Sequence, residues 1–171
     1  IQGIEVLPPS INDSFGKFTV PKKDQIRFGL LAVKGFGKQA YTEVINARKK
    51  GRFKDLFDFC KKVNLKVINQ TIIENVIIAG ALDETLKQRA QLLAALMPAI
   101  EQGELFSDMD EQLNWSDELF VMDVEYPDVN PFPILEQLKM EKHALGFVIS
   151  PHPLSYIRRT LKTQGFQTVR D

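Results

Sequence analysis

The feature that most constrains the fold is the stretch AVKGFGKQA at residues 32–40, where two glycines lie two residues apart. Gly35 and Gly37 flank the apolar residue Phe36. Glycine adopts positive φ angles and lets another backbone approach closely, so the stretch predicts a tight turn. Apolar residues recur at helical spacing over residues 38–50, which predicts a helix directly after the turn.

A short helix over residues 24–33 is predicted before the turn. Helix, G-x-G turn and second helix together make a helix-hairpin-helix pattern. The apolar positions of this pattern are Leu30, Val33, Phe36, Ala40 and Val44. The ring of Phe36 is expected to hold the turn against the core.

The start of the second hairpin helix is a candidate anion site. The first N–H groups of a helix have no intrahelical acceptor, and the helix dipole adds partial positive charge there. The expected ligand is a phosphate of duplex DNA, bound without reading bases. The candidate DNA-binding residues are Lys34, Gly35, Phe36, Gly37 and Lys38. The alternative is an ordinary interhelical turn that serves packing or protein contacts.

The charges of this electroneutral chain are unevenly distributed. Residues 17–54 hold eleven Lys or Arg against two acids, whereas residues 101–128 hold ten Asp or Glu and no Lys or Arg. A basic face suggests an anionic partner such as nucleic acid, although solvated surface explains it equally well. Four cations close the second hairpin helix, where they either suit its dipole or reach phosphates: Arg48, Lys49, Lys50 and Arg52.

The remaining pattern predicts a mostly α protein of short helices after an irregular segment with short strands. A helix is predicted after the N-cap Asp55, and another is predicted to start near Asn69. Further helices are predicted over residues 86–100, with a kink or end at Pro98, and after Pro131 and Pro133, with a last short helix over SYIRRTLK. The acidic stretch up to Asp128 is predicted to be a surface loop. The two pairs over residues 24–50 and 55–80 suggest an internal duplication, and the second turn, which lacks glycine, is predicted to pack rather than bind.

Composition excludes several classes of protein. A single cysteine, Cys60, rules out an internal disulfide and a cysteine-rich zinc site, and it is expected to be a buried helix residue. His143 and His152 have no partners at metal-ligand spacing, so both are interpreted as structural, and no metal site is predicted. No apolar run approaches the length of a membrane span, and the first residues do not form a signal peptide. A cytoplasmic protein that contacts no membrane is expected.

A hairpin of this kind also occurs in enzymes. Base-excision glycosylases carry such a hairpin followed by a Gly/Pro-rich loop and a catalytic Asp. Asp55 lies at a suitable distance, but the sequence GRFKDLFDF contains no such loop. Asp55 is better explained as a helix cap, and no catalytic residue is assigned.

Longer runs of the sequence resemble one family. The run IRFGLLAVKGFGKQAYTEVINARKKGRFKDLFDFC, together with GIEVLPPSINDS, NQTIIENVIIAGALDETLKQRAQLLAAL and LEQLKMEKHALGFVISPHPL, is similar to the alpha subunit of bacterial DNA polymerase III, the C-family replicative polymerase. The resemblance covers nearly the whole chain and is weaker across residues 107–130.

This resemblance implies an arrangement along the chain. It comprises the end of the fingers (1–23), a tandem helix-hairpin-helix domain (24–85), a helix with a clamp-binding peptide (86–106), an acidic linker (107–130) and a helical lead into an oligonucleotide-binding domain (131–171). The aspartates that hold two Mg²⁺ ions in the family lie in the palm, so the chain itself is expected to lack catalytic residues and cofactors. Its expected partners are duplex DNA and other replisome subunits.

The resemblance also implies a function for the segment EQGELFSD. Gln102, Leu105 and Phe106 match Q-x-x-L-F, which resembles the peptide by which replication proteins dock on the bacterial sliding clamp. An extended peptide is expected, with the two apolar side chains in a pocket. Packing of Leu105 and Phe106 back onto the preceding helix is one alternative. Another is a protein-interaction module whose hairpin does not contact DNA.

Overall fold

A computed structural model describes residues 3–113 and 125–146 of the chain. These residues form a mostly helical fold with a small sheet at its N-terminal end, which confirms the predicted fold class. The strands are β1 (Glu5–Leu7), β2 (Thr19–Lys22) and β3 (Gln25–Arg27). The helices are α1 (Lys38–Arg48), α2 (Leu56–Lys62), α3 (Gln70–Ile78), α4 (Arg89–Ala94), α5 (Leu96–Leu113) and α6 (Ile134–Leu145).

The sheet replaces most of the first hairpin helix. Its strand order is β1-β3-β2, with β3 parallel to β1 and antiparallel to β2. The predicted helix over residues 24–33 is therefore wrong, and only a 3-10 turn over Leu30–Ala32 remains. The N–H groups of Leu30 and Leu31 donate to the carbonyls of Phe15 and Gly16 instead of to a helix. Pairing with distant backbone overrides local helix propensity here.

The apolar positions of the hairpin pattern form part of the core, as predicted. Those buried are Leu30, Val33, Phe36, Ala40 and Val44. They pack in one cluster with the buried faces of α2 and α3, which include Phe59, Cys60 and Ile73. Apolar contacts thus fix the hairpin to the core, while Lys34, Gly35 and Gly37 of its turn are exposed.

The predicted cap of α2 is confirmed, and α3 begins after Asn69, near the predicted start. The side chain of Asp55 accepts a hydrogen bond from the N–H of Asp58 at 2.7 Å, and that of Asn69 accepts one from the N–H of Ile72 at 3.0 Å. Each cap satisfies one of the N–H groups that a helix start leaves free. The capping side chains of Asp55 and Asn69 thus fix the residues at which α2 and α3 begin.

The predicted helix over residues 86–100 is divided in two. α4 ends at Ala94 and α5 begins at Leu96, because Pro98 has no N–H and its ring crowds the preceding turn. Leu86, expected on the apolar face, precedes α4 with φ +62° and is 92% exposed. α5 then continues to Leu113, so residues 107–113 are helical and the predicted surface loop is wrong over this part.

Helix α6 begins directly after Pro133, as predicted, and ends at Gly146 in the left-handed conformation. The predictions for His152 and for the helix over SYIRRTLK lie outside the described residues. Among the helices of residues 3–113 and 125–146, none combines the length and the apolar character that crossing a membrane requires.

Candidate nucleic-acid interface

The two glycines of the turn have different conformations. Gly35 has φ +77°, the left-handed region that favours glycine. Gly37 has φ −89° and ψ −176°, which any residue adopts, so the prediction of a positive φ holds only for Gly35. A Cβ placed on Gly37 would meet no heavy atom of the described structure within 4 Å. The fold itself therefore does not require glycine at this position, and the space in front of it is open.

Gly37 is the N-cap of α1 and offers no side chain to the free N–H groups of that helix. The first turn of α1 also contains no acidic residue. Its neighbours α2 and α3, by contrast, are capped by side-chain oxygens. The start of α1 thus keeps its N–H groups and its dipole charge available to an anion from solution.

The turn carries two lysines beside the start of α1. Lys34 and Lys38 are both exposed and flank the uncapped start of α1, while Phe36 is only 3% exposed and holds the turn to the core. The uncapped backbone N–H groups of α1 and the two exposed lysines are therefore neighbours in the chain at this turn. This arrangement suits a phosphate, which binds helix starts and cations together.

The end of α6 supports the turn from the side. The N–H of Lys34 donates to the carbonyl of Ala144 at 2.8 Å, and the amide of Asn75 donates to the carbonyl of Lys34 at 3.0 Å. The Nζ of Lys34 lies 3.1 Å from the Nε2 of His143. Sequence analysis missed this contact, because residues more than one hundred positions apart share no local pattern. It also gives His143, interpreted as structural, a place beside the candidate site.

Two of the four cations at the C-terminal end of α1, Arg48 and Arg52, are bonded to other groups of the same chain. Arg48 donates through Nε and Nη2 to the carbonyl of Ile11, at 2.8 and 2.6 Å, and burial lowers the pKa of its guanidinium. Arg52 pairs with Asp13 at 2.8 Å and with Glu84 at 3.3 Å, and its hydrogen bond lowers the pKa of the Asp13 carboxyl. For these two arginines, the structure favours internal contacts over phosphate contacts.

The segment that matches Q-x-x-L-F lies inside α5 and is helical, so the predicted extended peptide is not its conformation in this structure. Leu105 is 55% exposed, whereas Gln102 and Phe106 are half-buried. The Nζ of Lys61 on α2 lies 4.5 Å from the centroid of the Phe106 ring, a cation–π contact. One of the two apolar side chains therefore faces solvent and the other contacts α2.

Side chains that bind metal ions are not grouped together in the part of the chain that the structure describes. No group of three His, Cys, Asp or Glu side chains within residues 3–113 and 125–146 is arranged to hold a metal ion. Asp55 caps α2 and is half-buried, as the cap interpretation predicted. Burial raises the pKa of the Cys60 thiol to about 12, which removes it as a nucleophile.

Comparison with known proteins gives the family. The helix-hairpin-helix motif matches residues 3–92, more than half of the chain. The chain belongs to the helix-hairpin-helix motif family. The match includes the hairpin, α1, α2, α3 and most of α4, and it ends before α5 and α6.

Among curated relatives of this helix-hairpin-helix chain are DNA polymerase III alpha subunits. That of Bacillus subtilis is 41% identical over 164 residues, which are 95% of this chain and 15% of the relative. That of Aquifex aeolicus is 37% identical over 95% of this chain and 13% of the relative. That of Escherichia coli is 29% identical over 99% and 15%. The resemblance found in the sequence is thus confirmed, and the chain spans about one seventh of the length of these relatives.

Proposed function

We propose that this chain binds the sugar–phosphate backbone of duplex DNA through its hairpin, as a non-catalytic part of a replicative DNA polymerase. The observation that carries the proposal is the uncapped, exposed start of α1 between Lys34 and Lys38. Similarity to DNA polymerase III alpha subunits supports a partner in replication. Template-directed synthesis and its Mg²⁺ ions are assigned to parts of such a polymerase outside this chain.

A phosphate suits the geometry better than a base edge does. The turn presents backbone N–H groups, open space in front of Gly37 and two exposed lysines, and these features match a phosphate whatever base it belongs to. Binding is therefore expected to be independent of sequence and strongly dependent on salt. One hairpin gives few phosphate contacts, so the affinity of the chain alone is expected to be low.

The first experiment measures duplex binding across salt concentrations from about 50 to about 200 mM, where counterion release gives a log–log slope of about −0.9 per phosphate. The double variant Lys34→Glu/Lys38→Glu is expected to lose binding and to keep its fold. Lys17→Glu/Lys23→Glu carries the same charge change on exposed N-terminal residues and is the control. Binding that is equal in the two double variants, or absent from the wild type at low salt, would favour the alternative of a protein-interaction module.

A second variant separates binding from folding. Gly37→Asp places a good N-cap at a residue whose φ already suits it, so the stability of the fold is expected to increase by about a few tenths of a kcal/mol. The same carboxylate accepts hydrogen bonds from the N–H groups at the start of α1, and its negative charge repels a phosphate. A variant that gains thermal stability and loses DNA binding fits the proposal, whereas one that keeps full affinity would refute the role of the α1 start.

We further propose that Gln102, Leu105 and Phe106 tether the polymerase to the sliding clamp. The favourable observation is Leu105, a large apolar side chain that is 55% exposed on α5. Docking as an extended peptide requires this part of α5 to unwind and Phe106 to leave Lys61. Tethering would raise the effective concentration of DNA near the polymerase.

The tether is tested by clamp binding of Leu105→Ala. This variant removes an exposed side chain, so its stability is expected to change by less than about 0.5 kcal/mol while clamp binding is lost. Met97→Ala removes a similarly exposed apolar side chain from the same helix and is the control. Equal clamp binding by both variants would place the contact elsewhere.

A further inference from the structure

The last two turns of α6 present a basic surface beside the hairpin. Lys139 and His143 are exposed and lie four residues apart, which places them on the same face of a helix. His143 lies 3.1 Å from the Nζ of Lys34, so this face is continuous with one of the hairpin lysines. Lys142, also exposed, lies next to His143.

Packing fixes the orientation of α6 about its own axis, so the face with Lys139 and His143 stays exposed to solvent. Its inner residues Leu138, Glu141, Ala144 and Leu145 are buried. The carboxylate of Glu141, fully buried, accepts a hydrogen bond from the Nη1 of Arg89 at 2.9 Å. With Glu141 turned inward, the exposed face of the last two turns carries Lys139, Lys142 and His143 and no acid.

The carbonyl end of a helix normally repels an anion, but here two of its carbonyls are already bonded. The N–H of Lys34 donates to the carbonyl of Ala144, and the N–H of Gly146 donates to the carbonyl of Lys142 at 2.8 Å. Lys142 in the last turn also offsets the dipole. Lys139 stands further from the helix end, where the dipole does not explain its charge.

We propose that Lys139 and His143 form a second contact to the same DNA backbone, next to the phosphate held by the hairpin. This inference rests on the proposed function and extends the interface beyond residues 3–92, which the family match covers. α6 then has two roles: it supports the turn through Ala144, and it lengthens the basic surface along the duplex.

The test is the salt dependence of duplex binding by the 171-residue chain and three neutral variants. Lys139→Gln and Lys38→Gln are each expected to make the log–log slope less steep by about 0.9, the loss of one phosphate contact. Lys23→Gln, in the turn between β2 and β3, is the matched control and is expected to keep the wild-type slope. Lysine and glutamine have similar helix propensities, so Lys139→Gln is expected to fold normally.

His143→Gln is measured beside them and is expected to weaken binding at low salt. If Lys38→Gln reduces the slope while Lys139→Gln keeps it, the hairpin proposal stands and the α6 contact is refuted. If the wild type does not bind duplex, or if Lys38→Gln keeps the full slope, the hairpin proposal fails and the inference fails with it. Reduced slopes for both lysine variants support the α6 contact.

Discussion

The Nη1 of Arg89 on α4 donates to the Oε2 of Glu141 on α6 at 2.9 Å, and the Glu141 side chain is fully buried. The same guanidinium bonds Asp83 through Nη2 at 2.9 Å and the carbonyl of Ile78 through Nη1 at 3.0 Å. Burial opposes its charge, but the bonds to Asp83 and Glu141 raise the pKa of Arg89. This network joins α6 to the helices that precede it and so sets the position of the residues beside the hairpin.

Glu141→Ala is expected to lower the free energy of unfolding by about 3–5 kcal/mol, because it leaves part of a buried guanidinium without its carboxylate partner. Chemical denaturation measures this change. The exposed acid on the same helix, Glu136, gives the control Glu136→Ala, with an expected change within about 0.5 kcal/mol. A loss for Glu141→Ala no larger than that of the control would mean that the pair does not hold α6 in place.

Gly35→Ala is expected to destabilise the fold by about 1–2 kcal/mol, the cost of a side chain in the left-handed region. The cause is the backbone alone, since the nearest atom to an added Cβ is the Nδ2 of Asn75 at 3.7 Å. Thermal unfolding beside Gly37→Ser, a residue of ordinary φ, separates the two glycines. Gly37→Ser is expected to be at least as stable as the wild type, and an equal loss in both variants would contradict this assignment.

Local patterns predicted the elements whose determinants are close in sequence. Asp55 and Asn69 mark helix starts because a cap acts on an N–H three residues away. Phe36 was correctly predicted as the anchor of the turn because it is the apolar residue between the two glycines, and it is buried. The strand β3 was missed because its partners are β1 and β2, and pairing between separate segments leaves no periodicity in residues 25–27.

The sequence predicted the charged residues of the candidate site, but not the residues that support the turn. Lys34 and Lys38 follow from the turn itself, but the support of the turn by Ala144 and Asn75 depends on how α6 and α3 pack. The Q-x-x-L-F match was found as a pattern, and its helical conformation was missed. Residues 102–106 continue a helix because α5 packs against α2, a tertiary contact that the pentapeptide does not encode.

Gly103→Ala provides a test of that α2–α5 contact. A Cβ on Gly103 would lie 2.6 Å from the carbonyl oxygen of Cys60, so the two helices would have to separate. Helix propensity alone favours alanine by about 1 kcal/mol, but overpacking against backbone costs about 1–3 kcal/mol. Net destabilisation is therefore expected in denaturant unfolding. Ser107→Ala, at an exposed position of α5, is the control. A Gly103→Ala variant more stable than the wild type would show that α2 and α5 can accommodate a methyl group between them.

The buried thiol of Cys60 makes the free energy of unfolding depend on pH in alkaline solution. Its pKa is raised from 9.0 to about 12 by burial, so the unfolded chain loses this proton before the folded one does. The native state then binds more protons, and the free energy of unfolding is expected to fall as pH rises above about 9, by at most about 1.4 kcal/mol per pH unit for this group. Denaturation from about pH 8 to about pH 10 measures the slope in a range where Tyr126, also raised to about 12, contributes less. In Cys60→Ala the absolute stability changes through packing, but the slope is expected to flatten; an unchanged slope would mean that the thiol does not ionise on unfolding in this range.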